Sequence, residues 1–134
     1  MKKLLSYWLL LVTLGLALGS LHIWAVPKII AVAEELQEHL GALYIYLTLL
    51  HGIAYSLIWW VWKNAFGKTG FAFLALSLLK LMISVGVLYP YLQAGSLRAE
   101  AVVLHFIVPY FIFLLLELGA TYRLLSHFTP ARST

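Results

Sequence analysis

The chain contains no cysteine and no aspartate. The first absence excludes disulfides, thiolate metal sites and cysteine nucleophiles. The second removes the usual third member of a catalytic triad, and no phosphate loop, nucleophile elbow or metal-ligand spacing is present. Charge is also scarce. Charged residues make up 10% of the chain, against about 25% in soluble domains. Every polar stretch is short, so no soluble catalytic domain fits beside the apolar part. The period-2 alternation of a membrane barrel is missing as well. These absences point to a non-enzymatic protein without a cofactor.

What remains is hydrocarbon. Of 134 residues, 63% are hydrophobic, and they fall into four runs long enough to cross a bilayer, which takes about 20 apolar residues. The expected spans are residues 4–26, 41–62, 70–92 and 101–125. Within lipid each backbone polar group must bond inside its own segment, so the spans are helices. The fold class is therefore all-α: a single-domain, integral membrane four-helix bundle of antiparallel, up-down spans. Short connections make consecutive spans neighbours. Lys2-Lys3, an apolar run and Ala17-Leu18-Gly19-Ser20 also have the layout of a secretory signal peptide; we expect the segment to be retained as the first span.

The first connection is not a plain linker. Residues 27–40 start with Pro27 and place Ile29, Ile30, Ala33, Leu36 and Leu40 at helical spacing, with Glu34, Glu35, Gln37 and Glu38 between them. This pattern predicts a short interfacial helix on the outer surface. Its acidic groups and His39 read as a solvated face, with a divalent-cation site as the weaker alternative. The net charge of +4 is spread over loop ends, which marks orientation rather than a nucleic-acid surface. Lys2, Lys3, Lys63, Lys68, Arg123 and Arg132 fall on one side, and Lys28 and Arg98 on the other. Both termini are thereby expected in the cytoplasm. Tyr7, Trp8, Trp24, Trp59, Trp60, Trp62, Tyr89 and Tyr91 are expected at the interfaces, and so is His22. Gly15 and Gly19 form a small-xxx-small pair that allows close helix packing, within the bundle or between copies in a homo-oligomer. Pro109 is expected to bend the fourth span near His105.

Three ionisable residues lie inside the spans, where each is costly unless paired. Counted inward from one end at about 1.5 Å per residue, Lys80 lies about 15 Å deep, Glu117 about 12 Å and His51 about 16 Å. Three helices thus bring one ionisable group each to the same level. We expect a Lys80–Glu117 ion pair with His51 close by. Further polar side chains share those stripes: Ser77 and Ser84 with Lys80, Thr48 and Tyr55 with His51, and Tyr110 and Thr121 with Glu117. Three roles fit such a layer: fixing helix register, relaying a proton or ion, or meeting a partner's ionisable group. A haem between His51 and His105 fits poorly, because the two lie at different depths.

Several short pieces carry a resemblance: Tyr46-Leu47, Leu50-His51-Gly52, Gly70-Phe71 with Leu74, Leu79-Lys80, and Pro109-Tyr110-Phe111-Ile112-Phe113-Leu114 with Glu117. Over about two thirds of the chain it resembles a family of small four-span membrane proteins of Bacteroidota. The layout is also similar to ATP synthase protein I, an accessory protein of the bacterial F-type ATP synthase, and genes of the Bacteroidota family tend to lie beside ATP synthase genes. Protein I carries a glutamate three residues before the lysine of its third span. Here Ser77 holds that place, and the acid is expected from Glu117 on the next helix. The resemblance implies a bacterial inner-membrane location and a role in assembling or stabilising the ring of c subunits, without catalysis. The alternatives are a small proton or divalent-cation transporter subunit, or a structural subunit of a respiratory complex.

Overall fold

A computed structural model describes residues 1–29, 34–93 and 99–126. They form four helices: α1 (Lys2–Ile29), α2 (Glu34–Asn64), α3 (Thr69–Gln93) and α4 (Ala99–Ser126). A 3-10 turn, Phe66–Lys68, joins α2 to α3. Each helix holds a segment long and apolar enough to cross a membrane: Lys2–Ala25, His39–Asn64, Phe66–Pro90 and Val103–Ser126. The protein is a multi-pass, all-α membrane bundle, and its spans coincide with the expected ones to within a few residues.

The stretch 27–40 expected as a separate interfacial helix is divided between two helices. Residues up to Ile29 continue α1, and Glu34 to Leu40 form the first turns of α2; residues 30–33 lie outside those described. Extending an existing helix adds a hydrogen bond for each residue fixed, whereas starting a new one incurs a nucleation cost. The connection from α2 to α3 closes its own polar groups. The Ala65 amide donates to Val61 O (2.6 Å) and the Lys68 amide to Ala65 O (2.8 Å). The Asn64 side-chain amide donates to Trp60 O, and the buried Thr69 hydroxyl to Phe66 O (both 2.7 Å).

Contacts between α1 and α2 run in opposite directions along the two helices: Tyr7 meets Tyr55, Gly15 meets Thr48, and His22 meets Tyr44. Between α2 and α3, Tyr46 meets Ser84 and His51 meets Lys80. These pairs fix antiparallel neighbours. Helix α2 touches all three others, α4 touches α1, α2 and α3, and among the described residues α1 and α3 do not meet. The least apolar span is thus the central one: 39% of the α2 span is buried, against 11% of α3.

Lipid tails give no hydrophobic drive between helices, so close packing must bring them together. Glycine supplies it on the α1–α2 seam. A Cβ on Gly15 would come within 2.6 Å of Thr48 Oγ1, and one on Gly19 within 3.2 Å of the Tyr44 ring. The small-residue pair is therefore used inside the bundle. On the other side of the seam, a Cβ on Gly52 would overlap the indole of Trp8. That indole donates its Nε1–H to Ser56 Oγ (3.1 Å), and Ser56 in turn donates to Gly52 O (2.8 Å).

Two residues expected at the interface accordingly turn inward. Tyr7 is buried and stacks on Tyr55 with ring centres 3.7 Å apart, and Trp8 is half-buried on Gly52. Trp24, Trp60 and Tyr89 do face outward. Helix α4 continues through Pro109, which is fully buried. Pro90 lies in the last turn of α3.

Candidate functional site

The centre of the bundle holds the three ionisable groups singled out by depth. Lys80 Nζ donates to Glu117 Oε2 at 2.6 Å. His51 Nδ1 lies 2.7 Å from the same oxygen and 3.2 Å from Lys80 Nζ. All three side chains are buried, with exposures of 0% for His51 and Glu117 and 2% for Lys80.

Hydrogen-bonding capacity decides how this triangle is protonated. An ammonium has only donors. A bare Nδ1 lone pair 2.7 Å from a carboxylate oxygen would be repulsive. The arrangement is consistent with His51 carrying its proton on Nδ1, so that lysine and histidine both donate to Glu117 Oε2. The 3.2 Å approach is then between two donors sharing one acceptor. With neutral histidine the cluster carries no net charge, as groups inside a bilayer should.

The sharing leaves two acceptors over. Glu117 Oε1 and His51 Nε2 are buried and have no hydrogen-bond partner among the described residues. The surroundings are aromatic and tight: the His51 ring lies 5.4 Å from Tyr110 and 5.6 Å from Phe113, centre to centre.

The other stripe residues divide. Ser84 is buried and shares a 3.1 Å hydrogen bond with Tyr46 on α2. This is a second polar tie between α2 and α3, one helical turn from Lys80. Ser77 Oγ and Thr121 Oγ1 are buried but have no hydrogen-bond partner among the described residues. Tyr55 belongs to the stack with Tyr7, and Thr48 packs on Gly15. The expected layer is thus a three-residue core with one flanking tie, and Tyr55 and Thr48 serve helix packing.

A second polar layer was not anticipated. His22 is not an isolated interfacial residue. Its Nδ1 lies 2.8 Å from Tyr44 Oη, and its Nε2 lies 2.9 Å from His105 Nδ1. These contacts join α1, α2 and α4 near the end of the bundle opposite the chain's N-terminus. A signal existed: His22, Tyr44 and His105 all lie within a few residues of the span ends Ala25, His39 and Val103. Counting inward from that end as well would have found them. His51 and His105 belong to separate layers, so the two do not face each other across one site.

Comparisons with protein-family models, with curated proteins and with solved structures return no match to this chain.

Proposed function

We propose that the protein is a non-catalytic accessory or assembly factor of a membrane complex, with its buried charge cluster acting as the clamp that holds α3 in place. The observation that carries this reading is the contrast within α3. Only 11% of its span is buried, yet its lysine and one serine reach into the bundle and bond α2 and α4. A helix so little covered has few packing contacts to hold it, and lipid adds no hydrophobic drive. Polar ties then carry a large share of its attachment. The cluster is neutral within one chain, so it needs no bound ion to be stable.

The complex that the sequence resemblance implies is the bacterial F-type ATP synthase, with c subunits as partner helices and the inner membrane as location; the basic residues at the span ends orient both termini to the cytoplasm. The α3 span is the least buried of the four, so its outward apolar face is available to such helices. The test is purification from native membranes in mild detergent. Co-purification of c subunits, lost in Lys80→Met and unaffected by Lys63→Gln, supports the reading. Its absence under conditions that keep the ATP synthase assembled overturns it.

One observation favours a second reading, a small proton transporter subunit. Among the described residues Glu117 Oε1 and His51 Nε2 have no hydrogen-bond partner, so each has a lone pair that can take up a proton. Purified protein in liposomes under an imposed pH gradient separates the two readings. Proton flux abolished by Glu117→Gln supports transport, and a tight membrane supports the accessory role.

A further inference from the structure

We propose that the cleft between α1, α2 and α4, at the end of the bundle that carries the N-terminus, is a site for the headgroup of an anionic phospholipid. Its volume is about 220 Å³, and its rim is formed by Lys3, Ser6 and Arg123. Tyr7, Tyr55 and Leu10 line its deeper part. Each polar side chain of the lining can donate a hydrogen bond, and no carboxylate is among them. Tyr7 is 4% exposed, and among the described residues its hydroxyl has no hydrogen-bond partner. A lining of two cations and three hydroxyls, with no carboxylate, suits an anion.

The position selects the source of that anion. Lys3 lies in the first turn of α1 and Arg123 in the last turn of α4, where a span meets the headgroup layer. The first amides of α1 add the positive end of a long helix to the same place. Lys2, Lys63 and Lys68 share this end of the bundle, and among the described residues no acidic side chain accompanies them there. From rim to depth the cleft passes from cations through hydroxyls to Leu10 and Ala120, the order in which a phospholipid passes from phosphate to acyl chain. Basic pockets between membrane helices recognise anionic headgroups in this way. The site is independent of which complex the protein serves.

The experiment is native mass spectrometry of the full chain in neutral detergent, titrated with phosphatidylglycerol, phosphatidylcholine or inorganic phosphate. One phosphatidylglycerol per chain should be retained in preference to phosphatidylcholine. Lys3→Gln/Arg123→Gln should weaken it about thirtyfold, from two cations near the surface. Lys63→Gln/Lys68→Gln should leave it unchanged. Ser6→Glu, which keeps both cations but adds a carboxylate at the rim, should also abolish the preference. Equal retention of the two lipids overturns the proposal. So does a preference that survives Lys3→Gln/Arg123→Gln, or one lost with Lys63→Gln/Lys68→Gln. Displacement of the lipid by millimolar inorganic phosphate would assign the cleft to free phosphate instead.

Discussion

Replacing Lys80 by methionine keeps the length and apolar stem of the side chain and removes its charge. Glu117 then keeps only the His51 contact at 2.7 Å and has no cation beside it. Two independent estimates bound the cost. An unpaired ion at mid-bilayer costs about 2.5–3.5 kcal/mol on insertion scales. Breaking one side of a buried ion pair costs about 3–5 kcal/mol. They converge on about 3–4 kcal/mol for Lys80→Met. Glu117→Gln strands the ammonium and should cost a similar amount.

The double variant strands nothing. It should lose only the ordinary coupling between membrane helices, about 0.6 kcal/mol on average and about 1.7 at most. The two single losses must therefore fail to add by several kcal/mol, and the double variant should be more stable than either single one. The assay is reversible unfolding of the four proteins in mixed lipid–detergent micelles titrated with dodecyl sulfate. Losses that simply add, or a Lys80→Met variant as stable as the parent, would refute the reasoning.

Further consequences follow from the packing. Gly52→Ala drives a methyl group into the Trp8 indole and should cost about 1–3 kcal/mol by overpacking in the same unfolding assay. Gly86→Ala meets nothing within 4 Å and should be neutral or slightly stabilising, so equal losses at the two positions would contradict the packing described. His22→Leu and His105→Leu each remove one partner of a single 2.9 Å bond; their losses should overlap by about 0.6 kcal/mol, and strict additivity would show that the outer layer does not form. Ser84→Ala and Tyr46→Phe should overlap likewise through their 3.1 Å bond, read by the same cycle.

The spans were legible because the bilayer demands about 20 apolar residues in a row, and few other segments of the chain could meet that demand. The Lys80–Glu117–His51 core was legible because depth along a straight helix follows from residue counting alone. What stayed hidden depends on the rotation of each helix about its axis. In a soluble protein the polar face of a helix reveals that rotation. Here Leu16, Leu78 and Leu115 face outward while Leu11, Leu47 and Leu124 are buried, and no difference in polarity separates the two sets. Tyr7 and Trp8 consequently read as interface markers, and nothing in the sequence marked Gly52 as the seat of an indole. The serine and threonine stripes were real helix faces, but which of their hydroxyls find partners depends on the facing helix. Ser84 found Tyr46, and Ser77 found none.

The account rests on the bond between the third and fourth helices inside the membrane. Solid-state NMR in lipid bilayers, recoupling ¹⁵Nζ of lysine with the side-chain ¹³Cδ of glutamate, measures it directly. A Lys80 Nζ 2.6 Å from Glu117 Oε2 predicts a strong lysine–glutamate correlation that vanishes in Glu117→Gln. A spectrum without that correlation, from protein whose four helices are intact, would place the amine away from the carboxylate and contradict the account.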